Sequence, residues 1–339
     1  MRKISSLDVA KQAGVSPATV SLVLNDRRDI VLSESTRERV RTVAAKLGYR
    51  PNLVARNLLR GRTETIGVIV ARMDNSFSGR IVQGIQEASL AADYRVLLAH
   101  TRNEPEIVTR QWRMLEDHQV DGIICVADEA TLPQLHQHVH GVSKRGLPCV
   151  LVDDRTLSSE VDCVVSDDVS GAAQVVKHFL SLGHCRIAHI SAGTRTSSAR
   201  DRIAGYRSAM KSAGIRIHPD WIVGDSYLKA DSVHLLKGLL DLPRPPTAVF
   251  AANDRLLAQA LSLLRERGAA IPDDLALAGY ANFDFSSYLG FTTVEQHPDE
   301  MGRQAFIRLQ QRMANARLRP KIIRISVSLL VRQSCGGKS

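Results

Sequence analysis

The chain has 339 residues, 44% of them hydrophobic and 24% charged, and a formal net charge of +10. Its length exceeds what one ordinary hydrophobic core holds and predicts two or three domains. The sequence contains no run of about 18 apolar residues and no apolar leader segment at its start. We therefore expect no membrane-spanning helix, no export, and a protein that remains in the cytoplasm.

The positive charge is concentrated near the N-terminus. Between Arg2 and Arg62 there are 13 Lys/Arg and 5 Asp/Glu, a net of +8, which leaves only +2 (10 − 8) for the rest of the chain. A small basic module on a large, nearly neutral body is typical of a protein that contacts a polyanion and has a second task.

The first predicted elements are two short helices separated by a tight turn. Ser5 is a good N-cap for a helix whose buried face carries Leu7, Ala10 and Ala13, and Gly14 suits the left-handed turn that follows. The second helix is expected to begin after a serine cap at a proline, the residue favoured in the first helical position, and to carry an apolar stripe of Val20, Val23 and Leu24.

A third helix is predicted from near Ser33 to Gly48, ahead of Pro51. It buries a periodic apolar set, namely Val40, Val43, Ala44 and Leu47. Two short helices around a glycine turn with a third helix in support make a helix-turn-helix module. A three-helix bundle with no DNA partner is the alternative, but it leaves the charge asymmetry unexplained.

The motifs in this region closely resemble the signature of the lactose-repressor/purine-repressor (LacI/GalR) family of bacterial transcriptional regulators. The similarity is carried by Asp8-Val9-Ala10, Ala13-Gly14-Val15-Ser16, Thr19-Val20-Ser21, Leu24-Asn25 and Gly48-Tyr49-Arg50-Pro51-Asn52. It extends over nearly the whole chain. By this resemblance, residues 1–50 form the DNA-binding domain, residues 51–62 a hinge helix, and residues 63–339 a two-lobed effector-binding and dimerisation domain.

The resemblance places the second helix in the major groove of DNA. The base-reading positions of the family correspond to Pro17, Ala18 and Leu22, which are apolar and cannot form bidentate bonds to guanine or adenine, so we expect contacts to thymine methyl groups and shape readout. Short polar groups suited to phosphate and base-edge contacts are Ser16, Thr19, Ser21 and Asn25.

The segment from Asn52 to Arg60 is about two helical turns long and too apolar for a free linker. A helix this short is marginal alone, and in the family it folds on DNA and inserts a leucine, here Leu58, into the minor groove. The resemblance assigns DNA contacts to Asn52, Ala55, Arg56 and Leu58. The alternative is a helix that simply docks on the body.

After Thr65, short apolar runs alternate with helical segments, as in a parallel sheet covered on both faces. The runs are 66–70, 95–99, 122–126, 149–152, 164–165, 187–190, 248–251 and 275–278. Two such sheets make two lobes, and this matches the body of the family. Taken with that resemblance, the fold class is a small all-α helix-turn-helix head and hinge helix, then an α/β periplasmic-binding-protein-like body of two doubly wound parallel-sheet lobes. Lobe 1 is predicted at about 63–162 and 294–320, and lobe 2 at about 163–293 and 321–333, with crossings near Asp162, Thr293 and Lys321.

Ligands of open α/β sheets bind at the carboxyl ends of strands, and two lobes can close around a small molecule. By resemblance, Arg202 holds the effector with paired hydrogen bonds and Tyr227 stacks on it. The complete predicted effector set is Arg202, Asn253, Asp254, Asp153, Tyr227, Phe77 and Gln296. Helix capping by the aspartates, or a surface salt bridge of Arg202, is the alternative.

One position departs from the family. After the strand at 275–278 the chain has Gly279-Tyr280-Ala281-Asn282, where relatives commonly have Gly-Tyr-Asp. Ala281 cannot accept a side-chain hydrogen bond, so Asn282 or Asp284 substitutes only in a rearranged loop. This leaves open a sugar, an anionic ligand held by Arg200 and Arg202, or a pocket without strong binding.

The sequence gives little support for disulfide bonds, metal binding or catalysis. Five cysteines without Cys-x-x-Cys spacing indicate neither a disulfide framework nor a zinc site. His136, His138 and His140 splay around a helix without companion ligands. No nucleophile or nucleotide motif is present. We predict no metal, no cofactor and no enzymatic activity, with an enzyme on the same body as the remote alternative.

The sequence thus predicts a DNA-binding transcriptional regulator, most plausibly a repressor. It acts as a homodimer on a pseudopalindromic operator, and a small molecule bound between the lobes, such as a sugar, a sugar derivative or another metabolite, modulates its DNA affinity. An activator, or a ligand-independent DNA binder, is the alternative within the family. The sequence does not choose between induction and co-repression or identify the operator, and no leucine heptad follows the body to build a tetramer.

Overall fold

The computed structural model describes residues 4–24, 31–49, 62–227 and 231–337, except the side chains of 141–145. Contacts divide the chain into two compact units, Met1–Glu64 and Thr65–Ser339. The division falls two residues beyond the predicted end of the hinge at residue 62. Asn25 and the hinge residues Asn52, Ala55, Arg56 and Leu58 lie outside the described residues.

The described residues of the first unit form three helices, α1 (Ser6–Ala13), α2 (Pro17–Leu24) and α3 (Glu34–Leu47). Ser5 forms a capping box with Asp8 at the start of α1. Gly14 and Gly48 end α1 and α3 in the left-handed conformation, with φ of 65° at both positions. Ser33 caps α3 by accepting a bond from the Thr36 backbone amide. Local capping therefore places the ends of α1 and α3 close to where the sequence predicted them.

The core of this unit differs from the prediction at Leu7, which is 67% exposed. At about 100° per residue, Val9, Ala10 and Ala13 share an arc of roughly 100° on α1, and Leu7 lies outside it. Those three residues are buried against Val20, Val23, Val40 and Ala44, while Leu24, Val43 and Leu47 pack against them partly buried. The prediction that Leu7 is buried was wrong.

The body begins with a six-stranded parallel sheet in the order β11-β5-β4-β3-β1-β2. Its strands are β1 (Thr65–Val70), β2 (Arg95–His100), β3 (Gly122–Val126), β4 (Cys149–Val152), β5 (Asp162–Ser166) and β11 (Ile322–Ile325). The helices around it are α4 (Ser76–Ala91), α5 (Pro105–Asp117), α6 (Leu132–Arg145) and α12 (Pro298–Ala314). Separate hydrophobic clusters on the two faces, one containing Val68 and the other Ile69, explain the continuous apolar strands.

A second, four-stranded parallel sheet has the order β7-β6-β8-β9. Its strands are β6 (Ile187–Ile190), β7 (Ile222–Val223), β8 (Ala248–Ala251) and β9 (Ala276–Ala278). Its helices are α7 (Asp168–Ser181), α8 (Ser197–Ser212), α9 (Ser232–Leu240), α10 (Asp254–Glu266) and α11 (Asp284–Tyr288). An antiparallel pair, β10 (Thr293–Glu295) and β12 (Ser328–Leu330), lies between the segments that connect the two sheets.

Two strands lie in a different lobe from the one predicted. Residues 163–166 and 321–325 were assigned to lobe 2, but β5 pairs with β4 and β11 pairs with β5 in the first sheet. The reason is that a buried parallel strand has the same apolar pattern in either sheet, so periodicity cannot assign it. The crossings between lobes consequently follow β5, β10 and β11, a few residues beyond the predicted points.

In the part of the chain that the structure describes, no helix has the length and apolar character needed to cross a membrane.

Candidate functional site

The second helix of the first unit has one buried and one exposed face. Val20 and Val23 are buried, whereas Ser16, Pro17, Ala18 and Ser21 are exposed and Thr19 and Leu22 are half-buried. The Ser16 hydroxyl accepts a hydrogen bond from the Thr19 backbone amide at 3.1 Å. The six described residues predicted to contact DNA therefore lie together, at the start of α2 and along its outer face.

A cavity between the two lobes of the body has a volume of about 770 Å³, including its open mouth. Six of the seven predicted effector residues line it: Phe77, Asp153, Arg202, Tyr227, Asn253 and Gln296. Residues not predicted complete the lining, namely Arg72, Asn75, Ser78, Val126, Ala127, Asp128, Glu129, Thr196, Ser198, Arg255, Ala281 and Phe283. This lining combines aromatic side chains with amide, carboxyl and guanidinium groups, a composition that suits a small polar metabolite.

Arg202 is the most constrained charged side chain of the cavity. Its Nε donates to Asp168 Oδ1 at 3.0 Å. Its Nη1 donates to the Ala252 carbonyl at 2.6 Å and to the Tyr227 hydroxyl at 3.0 Å. The guanidinium also lies 3.9 Å from the centre of the Tyr280 ring. These contacts fix the position of the guanidinium, and no described residue bonds to its Nη2, which remains available as a donor.

Asp153 follows β4 and adopts a left-handed backbone with φ of 67°. Its Oδ1 is inaccessible to solvent and has no hydrogen-bond partner among the described residues. Burial, together with the negative charge of Asp168, raises the pKa of Asp153 well above its usual value, against the lowering effect of Arg202. Burial also raises the pKa of Asp128 on the same wall. The cavity therefore contains two carboxyl groups that lack strong partners.

Asn253 and Gln296 each use one end of the side-chain amide for a hydrogen bond within the protein, which leaves the other end for the cavity. The Asn253 carbonyl oxygen accepts from the Leu256 backbone amide at 2.9 Å, capping α10, which leaves its NH₂ group. The Gln296 NH₂ donates to Ser166 Oγ at 2.6 Å, which leaves its carbonyl. Asn253 consequently supplies a donor and Gln296 an acceptor for a ligand.

Asp254 does not line the cavity. Its fully buried carboxylate accepts hydrogen bonds from the Phe283 backbone amide at 3.1 Å, Ser286 Oγ at 2.7 Å and Thr293 Oγ1 at 2.8 Å. Burial raises its pKa to about 6, although these hydroxyl and amide donors act in the opposite direction. Asp254 lies at the first position of α10, so its side chain points behind the cavity and holds the loop after β9.

The comparisons with known proteins agree with this geometry. Residues 7–52 match "Bacterial regulatory proteins, lacI family", and residues 63–333 match "Periplasmic binding proteins and sugar binding domain of LacI family". The chain belongs to the LacI family. Among its relatives, the transcriptional repressor PurR of Histophilus somni is 31% identical over 329 residues, which covers 96% of this chain and 97% of PurR.

Two solved structures of the family resemble this chain over its length. The regulator CelR in complex with cellobiose is 28% identical, with a TM-score of 0.71 and coverage of 98% of this chain and 100% of CelR. The Lac repressor dimer bound to operator and ONPF has a TM-score of 0.82 at 24% identity, with coverage of 98% and 99%, and supports the fold. This LacI-family chain is thus a DNA-binding transcriptional repressor with an effector-binding body.

Ala281 stands after β9 where relatives commonly have Asp, and no neighbouring residue supplies the missing carboxylate to the cavity. Ala281 lines the cavity, with φ of 89°. Asn282 is occupied elsewhere, because its Nδ2 donates to Glu295 at 2.8 Å and its Oδ1 accepts from Arg332 at 2.9 Å. Asp284 is exposed at the start of α11. The loop after β9 therefore contributes no carboxylate to the cavity.

Arg200, which was considered as a second anion ligand, does not line the cavity either. Its Nη1 donates to the backbone carbonyls of Thr194 at 2.8 Å and Arg195 at 3.3 Å. The basic groups that do line it are Arg72, Arg202 and Arg255. Arg200 is therefore not placed to bind an anionic ligand in the cavity.

The lobes are joined at the cavity rim by side chains that were not predicted. Glu129 of lobe 1 accepts from Ser226 Oγ at 3.0 Å and from the Tyr227 backbone amide at 2.9 Å in lobe 2, and it pairs with Arg195. Asp154 accepts from the Ser197 amide at the start of α8, at 2.9 Å. Asp128 and Glu129 follow β3 as Asp153 follows β4, so the same strand-end rule applied to β3 would have found them.

The three histidines of α6 have individual partners. His136 contacts Thr156 at 2.7 Å, His138 stacks on Trp112 with ring centroids 5.2 Å apart, and His140 pairs with a carboxylate. Within the described ranges no cluster of three or more potential metal ligands is present.

Proposed function

We propose that this repressor binds operator DNA through the exposed face of α2 and senses a polar small molecule in the interlobe cavity. The observation that carries the proposal is the composition of the cavity, whose walls come from both lobes. A ligand that contacts both walls favours one arrangement of the lobes over another. Its effect on DNA affinity is then a coupling free energy between two sites, equal in both directions.

The cavity favours a ligand with both donors and acceptors over a strong anion. Arg202 is already paired with Asp168, and Arg72 is paired with Asp74 through two bonds of 2.8 and 2.5 Å. The carboxyl groups of Asp128 and Asp153 would oppose an anion. Aromatic surfaces of Phe77, Tyr227 and Phe283 are suited to the apolar face of a sugar or to a planar ring.

The DNA contacts are proposed from the exposed face of α2. Pro17, Ala18 and Leu22 would lie against thymine methyl groups, and Ser16, Thr19 and Ser21 against phosphates and base edges. Asn25, Asn52, Ala55, Arg56 and Leu58 complete the proposed contact set from outside the described residues. A homodimer would read both halves of a pseudopalindrome in the cytoplasm, without turning over its ligand.

The test uses the full-length protein and an operator selected from random DNA. Its affinity is measured by fluorescence anisotropy with and without sugars, amino sugars, nucleobases and organic acids at millimolar concentration. A compound that changes operator affinity, and loses this effect in Phe77→Ala, supports the proposal. The matched control is Leu90→Ala, on the same helix but 78% exposed.

Three outcomes would contradict parts of the proposal. Operator binding that no compound changes would favour a ligand-independent DNA binder. A compound that is consumed by the protein would favour the enzyme alternative. Weak binding that is equal on all DNA sequences and insensitive to salt would contradict the assignment of α2 as the reading helix, because phosphate contacts release counterions.

A further inference from the structure

The wall of the cavity contributed by lobe 1 carries an excess of carboxyl groups. Asp128 follows β3 and Asp153 follows β4, and these strands are adjacent, with Val126 opposite Val152. Parallel strands end at the same edge of a sheet, so the two residues lie at the same edge, and the negative charge of Asp128 acts on Asp153. Both line the cavity.

Neither carboxyl group is neutralised by a cation in the described parts of the chain. The bond from the Ala130 backbone amide to Asp128 Oδ1, at 3.1 Å, is a local turn contact. Asp153 Oδ1 is buried and has no partner within the described ranges. A buried carboxyl group left in this state costs free energy until a donor reaches it.

The nearby arginines are engaged with other groups. Arg202 faces Asp153, but its Nε is bonded to Asp168 and its Nη1 to Ala252 and Tyr227. Arg72 acts on Asp128, but it is paired with Asp74, and Arg255, the third arginine of the lining, also pairs with Asp74, at 3.7 Å. The remaining charged groups that act on the two carboxyl groups are Asp154 and Glu129, which are acidic. The inner cavity thus has more carboxyl groups than free cations.

The opposite wall adds aromatic faces but no carboxylate. Tyr227 and Phe283 of lobe 2 line the cavity, and Ala281 stands where lobe 2 could have offered an acceptor. Phe77 adds a third aromatic side chain from lobe 1. Aromatic faces attract cations. Strong acceptors for a positively charged group are therefore confined to the lobe 1 wall.

We propose that the effector of this repressor carries a primary ammonium group, which Asp153 and Asp128 bind, on a polar body such as that of an amino sugar. The ammonium donates to the carboxyl groups of Asp153 and Asp128. The polar body contacts Arg202 Nη2, the Asn253 NH₂ and the Gln296 carbonyl. This inference rests on the proposed function, because it specifies the ligand of the same cavity.

The direction of the pKa shifts of Asp153 and Asp128 agrees with the binding of an ammonium group. Burial raises the pKa of both Asp153 and Asp128, which favours their protonated forms. A bound ammonium favours the ionised carboxylates and lowers their pKa. Binding should therefore be accompanied by release of protons from these groups and should strengthen as the pH rises, until the ligand amine itself loses its charge.

The experiment compares amino sugars with their parent sugars, so that the two members of each pair differ only in an amino or a hydroxyl group. Full-length protein is titrated with glucosamine and glucose, galactosamine and galactose, and mannosamine and mannose, by calorimetry in buffers of different ionisation enthalpy. We expect a preference of roughly tenfold to a hundredfold for an amine, the range for one charge-assisted bond. Asp153→Asn should remove this preference, whereas Asp273→Asn, an exposed carboxyl group in lobe 2, should retain it.

The outcomes separate this inference from the proposed function. A parent sugar that binds as well as its amine, or an amine that binds equally to Asp153→Asn, overturns the ammonium assignment and leaves an effector-binding cavity intact. Absence of binding across all pairs, with operator affinity also unchanged by the wider panel, overturns both. Proton release with amine binding, lost in Asp153→Asn, supports the inference.

Discussion

Arg202 and Asp168 form a buried ion pair, with Nε and Oδ1 3.0 Å apart and side chains only 5% and 2% exposed. The two residues come from different helices of lobe 2, α8 and α7. Asp168 lies behind the guanidinium, while Nη2 of the same group remains for the cavity. Arg202 therefore has a structural role as well as a proposed ligand role.

Removing one partner of this pair should be costly. Asp168→Asn leaves the Arg202 guanidinium buried without its carboxylate, and we expect a loss of about 3–5 kcal/mol in the free energy of unfolding. The matched control is Asp241→Asn, which breaks an exposed pair with Arg267 at 2.8 Å and should cost about 1 kcal/mol or less. Urea titrations of both variants provide the measurement. Equal losses would mean that the buried pair is not a structural element.

The packing of α7 against α8 requires a glycine at position 205. A Cβ added there would lie 2.2 Å from the Val169 carbonyl oxygen, which is backbone and cannot move aside. We expect Gly205→Ala to reduce stability by about 1–3 kcal/mol. Gly238→Ala in α9, where a Cβ meets nothing within 4 Å, should instead add about 0.5–1 kcal/mol through helix propensity. Thermal unfolding that gives the same sign for both substitutions would contradict the packing argument.

Asp254 should make stability depend on pH. Burial raises its pKa to about 6 from a model-peptide value of 3.8. Between these values the folded protein holds a proton that the unfolded chain has lost, so stability falls as the pH rises from about 4 to 6 and the full penalty persists above. Relative to Asp254→Asn, the wild type should lose a few kcal/mol across that interval. Asp273→Asn controls for the loss of one negative charge. A wild type that gains stability relative to Asp254→Asn as the pH rises from about 4 to 6 would refute the prediction.

Leu22 should determine part of the operator sequence. It is half-buried on α2, at a position next to the exposed Pro17, Ala18 and Ser21. Leu22→Arg introduces the side chain that pairs with guanine, so the selected motif should change toward guanine at one position in each half-site. Leu7→Arg, on an exposed position of α1, adds the same charge and should leave the selected motif unchanged. A motif that stays the same in Leu22→Arg would argue against placing this residue in the groove.

Much of the local structure follows from the sequence alone, because it depends on neighbours along the chain. Ser5, Gly14, Ser33 and Gly48 set the limits of α1 and α3 through capping and left-handed turns. Apolar runs identify strands of both sheets, although the two-residue β7 matches none of the predicted runs. Polar residues after strands, such as Asp153, identify positions that face the cavity.

The tertiary structure decided what depends on distant partners. The apolar pattern of β5 and β11 fits either sheet, and only their pairing places them in the first. Asn253 and Asp254 are adjacent, yet the first lines the cavity and the second bonds to the Thr293 hydroxyl behind it. Packing sets the direction of side chains and the pairing of charges that are tens of residues apart in the chain. A local sequence pattern contains no information about either.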